Sequence, residues 1–323
     1  MSRKHRQFTN PVPTEVTRPG KGLGILLKFM TGGKKRVPGR TFVFRSTDDS
    51  LSVPPDRDAL CVTWIGHSTV VLDIDGKRFI TDPIWSSRCS PLPLVGPVRF
   101  FDPPVDLNAI KYIDGVIISH DHYDHLDEKT IIRLGMTGCD FFVPIGVRAH
   151  LEEWGIHSSL IHEFTWGDER RIGDDHVLIA EKSRHFSGRK FGRRNDTLWV
   201  SWVIQSRSRK VFFGGDGGYF KGFSEIGKSY GPFDLTILEI GAYDENWKDI
   251  HMGPVNALKA HHDLGGKVLF PVHWGTFSLA FHPWNEPINI LLEEAEKAGV
   301  KLLCPEPGET VVAGEHVSRW WDE

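Results

Sequence analysis

Ser119-His120-Asp121-His122-Tyr123-Asp124-His125-Leu126-Asp127 follows directly on the apolar run Gly115-Val116-Ile117-Ile118. The run reads as a buried strand, because β-branched residues dominate it and Asp114-Gly115 punctuates its start. The polar cluster then sits where that strand ends and a loop begins, a place suited to presenting ligands from a rigid base. In an extended loop His120 and His122 point to the same side and can share one metal ion, while Asp124 and His125 reach a second. Nitrogen and oxygen donors of this kind suit zinc, with iron or manganese as alternatives. A lone histidine is usually a core or surface residue. Four potential ligands at this spacing behind an apolar strand are not explained that way.

The chain has 323 residues, 40% hydrophobic and 25% charged, enough for one large domain or two smaller ones. Four dispersed cysteines (Cys61, Cys89, Cys139, Cys304) form no Cys-x-x-Cys pair and read as reduced core residues. No apolar h-region follows Met1-Ser2-Arg3-Lys4, and no run reaches transmembrane length, so a cytoplasmic protein is expected. The first 40 residues hold ten Lys or Arg and one acid, a surplus of nine positive charges. Against an overall net charge of −3, this leaves −12 on the remainder. Residues 1–56 are expected to be a basic arm and linker, and residues 57–323 the catalytic domain. Gly22-Leu23-Gly24-Ile25-Leu26-Leu27-Lys28-Phe29-Met30, set between basic residues, suits either packing on the domain or peripheral contact with an anionic inner-membrane surface.

Strands are predicted over 60–65, 69–74 and 77–81, with Asp75-Gly76 as a hairpin turn. Further strands are predicted over 141–145, 159–162, 176–181, 198–205, 211–213, 235–240, 267–272, 301–303 and 310–312. Helices are predicted over 128–134, 147–154, 254–264 and 288–298. This order suggests two sheets packed together with helices outside. Three later strands also end in a metal-binding side chain. They lead to His185, to Asp216 in Gly214-Gly215-Asp216-Gly217-Gly218, and to His273 in Pro271-Val272-His273-Trp274-Gly275. Four such strand ends are explained by convergence on one cleft.

With these residues in view, the sequence resembles the metallo-β-lactamase fold superfamily. It is similar in particular to N-acyl-phosphatidylethanolamine-hydrolysing phospholipase D and its bacterial relatives. The matching blocks include Trp64-Ile65-Gly66-His67-Ser68-Thr69, Thr81-Asp82-Pro83-Ile84-Trp85, Phe213-Gly214-Gly215-Asp216-Gly217-Gly218-Tyr219 and His273-Trp274-Gly275-Thr276-Phe277. Ser187-Gly188 and Gly217 depart from the family pattern and leave the ligand set intact. The resemblance implies an α/β fold, an αββα four-layer sandwich of two mostly antiparallel or mixed sheets flanked by helices. It implies two zinc ions, one held by His120, His122 and His185, the other by Asp124, His125 and His273, with Asp216 bridging. It implies attack on a phosphodiester by a metal-bridging hydroxide, with Asp124 and Asp216 in the catalytic set.

His251 is expected to bind phosphate or protonate the leaving alcohol. His67, Asp121 and Asp127 are expected to support ligands from behind or to cap turns. His150, His157, His162, His261 and His262 read as structural or surface residues. Trp85, Trp247, Trp274 and Trp284 are candidates for an apolar substrate groove. The favoured activity is hydrolysis of a phospholipid diester. The alternatives are a lactonase or nuclease on the same scaffold, or a binding protein that keeps the fold. The acidic main domain argues against a nucleic-acid partner.

Overall fold

The computed structural model describes residues 7–17, 35–46, 49–92, 94–189 and 193–322. The apolar part of the basic segment, residues 22–30, lies outside the described residues. No helix among those described is long and apolar enough to cross a membrane.

Strands β1 (Leu60–Gly66), β2 (Thr69–Ile74) and β3 (Lys77–Thr81) form an antiparallel meander. Asp75 and Gly76 both have positive φ, 42° and 83°, the conformation a two-residue hairpin with right-handed twist requires. β4 (Gly115–Ile117), β5 (Asp140–Pro144) and β6 (Ile161–Phe164) continue from β3 in parallel. β14 (Thr310–Val312) closes the other edge beside β1, giving a seven-stranded mixed sheet.

The second sheet has eight strands. β7 (Glu169–Ile172), β8 (His176–Lys182), β9 (Val200–Gln205) and β10 (Lys210–Phe213) pair antiparallel. β11 (Leu235–Glu239), β12 (Val268–Val272), β13 (Lys301–Cys304) and β15 (His316–Val317) extend it in parallel from β10.

Alternation sorts the side chains. Val70, Leu72 and Ile74 of β2 enter the core between the sheets, whereas Val71 faces the outer layer. That outer layer is formed by helices α1 (Glu128–Gly135) and α2 (Arg148–Glu153), through Ile131, Leu134 and Leu151. Helices α3 (Gly222–Tyr230), α4 (Gly253–Leu264) and α5 (Glu286–Ala298) cover the other sheet, through Phe223, Ala257, Ile288 and others. The result is the expected αββα sandwich. Both faces of each sheet are covered, which is why so many strands read as continuous apolar runs.

Three elements escape the sequence reading: β7, helix α3 and the two-residue β15, which is too short to show a pattern. β7 is an edge strand of exposed charged residues with no apolar alternation. Helix α3 contains Gly222 and Gly227, which lower its apparent helix propensity. Gly227 is needed there because a Cβ would lie 2.2 Å from the Asp263 carbonyl oxygen of α4.

The boundary expected at residue 56 does not coincide with packing. Phe42 and Phe44 are buried in the main core, stacked on each other and edge-on to Trp320. Leu51 is buried, and its carbonyl accepts from the buried Arg78 guanidinium. Trp274 and Trp284 belong to the same aromatic core. Trp274 packs near-parallel to both Trp64 and Trp320, at 5.3 and 5.4 Å, and Trp284 packs on Phe42 at 5.5 Å. Both are buried, so they do not form the substrate groove expected of them.

His261 on α4 is buried against β11, with Nδ1 2.7 Å from Thr236 Oγ1. Burial, with His262 beside it, pushes its pKa down to about 4. The unfolded chain therefore takes up a proton near pH 6.5, before the folded one does. The contribution is present above that pH and is lost as pH falls towards 4. His261→Gln is expected to remove roughly 2–3 kcal/mol of this acid destabilisation. Urea unfolding of both proteins at pH 7 and pH 4.5 measures it. An unchanged difference between the two pH values would contradict the assignment.

Candidate metal centre

β1, β3 and β4 run the same way in one sheet, and β8, β10, β11 and β12 share a direction in the other. Their C-terminal ends therefore deliver His67, Asp82, His120, His185, Asp216, Glu239 and His273 to one edge of the sandwich. Backbone bonds tie the two sheets there, from His273 N–H to the His67 carbonyl (3.1 Å) and from Val200 N–H to the Ser119 carbonyl (3.0 Å).

Two ligand groups result. His120, His122 and His185 converge, with His122 Nδ1 lying 2.8 Å from His120 Nε2 and 3.2 Å from His185 Nε2. Asp124, His125 and His273 form the second group, and His67 joins it. Asp216 Oδ2 stands between them, 3.1 Å from His125 Nε2, 3.0 Å from His273 Nε2 and 3.9 Å from His185 Nε2. The glycines around Asp216 permit this approach. A Cβ on Gly218 would sit 2.0 Å from the Asp249 carbonyl oxygen.

The far sides of the rings are anchored. His120 Nδ1 meets Ser119 Oγ at 2.8 Å, His125 Nδ1 meets Asp82 Oδ2 at 2.7 Å, and His185 Nδ1 meets the Ile250 carbonyl at 3.0 Å. Each arrangement leaves Nε2 for the centre, the tautomer control that metal-binding histidines need. Asp82 also accepts from the Ser119 N–H and hydroxyl, so one buried carboxylate organises two ligands.

Nε2 of His125 and Nε2 of His273 lie 3.1 and 3.0 Å from Asp216 Oδ2 without a well-aligned hydrogen bond, and Oδ1 of Asp216 has no hydrogen-bond partner among the described residues. Buried polar atoms are rarely left so, and two divalent cations would satisfy all three. The electrostatics agree. Burial holds His120 and His185 well below the usual histidine range, keeping them neutral and able to coordinate. Burial also lowers His273, but Asp216 and Asp124 outweigh it and hold the ring up at about 10. Asp216 and Asp124 likewise raise His125 well above its ordinary value against burial. Cations bound here would take the place of those protons.

The remaining expected residues separate. His67 Nε2 contacts Asp124 Oδ2 at 3.1 Å, within the second group. Asp121 accepts from Gly188 N–H at 2.8 Å and faces His150 Nε2 at 3.5 Å, so it fixes the loop after His185 and touches no ligand. Asp127 accepts from Ser86 N–H and hydroxyl and from Thr130 Oγ1. It secures the loop before α1 and supports no ligand. Trp85 donates to the Val105 carbonyl and lines a separate cavity of about 540 Å³ with Ser86, Arg88 and Lys129. That cavity contains none of the ligands, so Trp85 does not sit at the metal centre.

The ligands open into a cleft of about 250 Å³. His122, Asp124, Asp216 and His273 form its floor, and Trp247, Phe186, Leu279 and Val16 its apolar walls. Arg194 stands at the cleft, exposed. His251 lines both this cleft and an adjoining cavity of about 470 Å³ that contains Met252, Val255, Phe281 and Ile290.

Sequence reasoning did not single out Glu239. It is fully buried, and its Oε2 is 2.6 Å from His251 Nδ1. Its Oε1 accepts from Gly217 N–H at 2.8 Å and Met252 N–H at 3.3 Å. The available signal was a charge inside an otherwise apolar strand, which demands a partner.

Among known proteins, a family model described as a beta-lactamase superfamily domain matches residues 77–274. An uncharacterized protein of Mycobacterium tuberculosis is 49% identical over 272 residues, 82% of this chain and 73% of that one. N-acyl-phosphatidylethanolamine-hydrolyzing phospholipase D 1 of Caenorhabditis elegans is 33% identical over 277 residues, 81% of this chain and 78% of that one. The structure of Igni18, a metallo hydrolase from Ignicoccus hospitalis, superposes with a TM-score of 0.60 at 25% identity, covering 79% of this chain and 98% of that one.

Proposed function

The chain belongs to the beta-lactamase superfamily and is a metal-dependent hydrolase, and from that premise we propose that it is a dinuclear phosphodiesterase cleaving a phospholipid diester in the manner of an N-acyl-phosphatidylethanolamine phospholipase D. One observation carries the reading. Two ligand groups meet on a shared buried carboxylate, Asp216, at the floor of a cleft whose wall carries an anchored histidine, His251. His120, His122 and His185 would hold one cation, Asp124, His125 and His273 the other, and Asp216 both. Such a cation pair supplies a water activated near neutral pH and a clamp on the phosphoryl oxygens.

The chain's own groups do the rest. Asp82 and Ser119 keep His125 and His120 turned towards the floor. Arg194 offers a guanidinium to an anionic diester. Trp247, Phe186 and Leu279 exclude water and receive apolar substrate. Glu239 accepts the His251 Nδ1–H and supports the doubly protonated ring, whose Nε2–H gives a proton to the departing alkoxide oxygen. Zinc suits the donor set, and iron or manganese would be accepted by the same atoms.

Metal content by mass spectrometry, with hydrolysis of bis-p-nitrophenyl phosphate and of an N-acyl phosphatidylethanolamine, tests the proposal. About two metals per chain and cleavage of the lipid are expected from the dinuclear site. Two metals with activity on the generic diester alone would retain the site chemistry and sink the lipid assignment. Trp247→Ala is expected to raise KM for the lipid while leaving the generic diester nearly unaffected.

A further inference from the structure

The family model begins at residue 77, yet residues 7–17 reach the metal centre. Asn10 spans both backbone groups of a single residue, His185. Its Nδ2 donates to the His185 carbonyl at 2.7 Å, and its Oδ1 accepts the His185 N–H at 2.9 Å. The same Oδ1 accepts from Trp199 Nε1 at 3.1 Å. We propose that Asn10 is a positioning residue for the metal ligand His185, and that residues 7–17 complete the cation site formed with His120 and His122. The inference rests on the metal reading above but not on the choice of substrate.

His185 lies beyond the end of β8, so no ladder satisfies its peptide groups. Asn10 supplies both missing partners from one planar amide and pins the peptide on either side of the ligand. The imidazole is then fixed by the Ile250 carbonyl at Nδ1. The same segment ties the His185 loop to the His251 loop. Arg184 donates to the Pro13 carbonyl at 2.8 Å and to Thr14 Oγ1 at 3.1 Å, and pairs with Asp249 at 2.7 Å. Asp249 in turn accepts the Glu15 N–H at 3.0 Å. At the other end, Phe8 N–H donates to the Asn195 carbonyl at 2.9 Å. Val16 and Thr17 then line the cleft itself. An amide so used is not replaceable by a carboxylate. Aspartate keeps the acceptor but sets a second oxygen against the His185 carbonyl.

The full chain, stripped of metal, is titrated with zinc against a chromophoric chelator. Wild type takes two equivalents. In Asn10→Ala one of them weakens roughly 10- to 100-fold, the range for losing a partner behind a ligand, while the other keeps its wild-type affinity. Asn10→Asp weakens the same equivalent, and provides the reading if the alanine variant does not fold. Arg40→Ala removes ties from the N-terminal segment to the Trp320 and Asp322 carbonyls, and keeps both equivalents. Two unchanged equivalents in the Asn10 variants would overturn the proposal. Equal weakening of both would also overturn it, since that marks general loosening. A wild-type chain that takes no zinc would overturn the metal reading instead.

Discussion

Asp216→Ala is expected to lower kcat/KM on any diester by more than about 10³-fold, since losing even a partner behind a ligand costs roughly 10–100-fold. Among the described residues, Asp216 is the one carboxylate in contact with rings of both ligand groups, His185 on one side and His125 and His273 on the other. Its loss would remove the proposed shared ligand and the negative charge that would offset two cations. Metal content should fall below two per chain. Asp216→Asn separates the two effects. It keeps the shape, but one of its two terminal atoms becomes an N–H₂ donor facing the imidazole edges. Equal losses in Ala and Asn would place the effect in charge and bridging, whereas substantial activity in Asn would reduce it to geometry. Full metal occupancy and activity in both variants would remove Asp216 from the centre.

The clustering of the candidate ligands was legible in the sequence because four of them follow apolar strands, and strands of one direction bring their ends to one edge. His120, His185, Asp216 and His273 share that signature. What was not legible depends on partners far along the chain. Asp82, in Thr81-Asp82-Pro83, looks like a turn residue, and indeed has φ of 35°. Its role exists only once Ser119 and His125 fold against it. Asn10 sits in a short polar segment before Pro11, and its partner is 175 residues away. The tryptophans divide. Proximity to the site loops in sequence suggests a groove, but Trp274 turns into the cluster formed with Trp64, Trp320 and Trp321, where its large apolar area is buried. Only Trp247, on the loop before His251, reaches the cleft.

Glu239 gives the second large effect, and it depends on the leaving group. Three donors converge on its carboxylate: Gly217 N–H, Met252 N–H and the His251 ring. Burial raises the pKa of Glu239, against the pull of His251, so the site keeps a buried acid only because those donors surround it. Glutamine has the same size but can accept on one atom only. Its N–H₂ must face either the two backbone donors or His251 Nδ1. In the first case two N–H groups lose their partner, and in the second the imidazole loses its anchor and its tautomer. Either way the carboxylate charge that supports the doubly protonated, proton-donating His251 ring is gone. A positioned general acid contributes about 10²–10⁴-fold. Glu239→Gln is therefore expected to lower kcat on the alkyl diester of a phospholipid by roughly 10²-fold or more, with KM little changed. His251→Ala should show the same pattern. On bis-p-nitrophenyl phosphate the departing phenolate needs no proton, so the same variants should lose less than about tenfold. That contrast separates a proton donor from a merely structural pair. A fall of equal size on both substrates would mean that Glu239 and His251 shape the floor around Asp216 and do not serve the leaving oxygen.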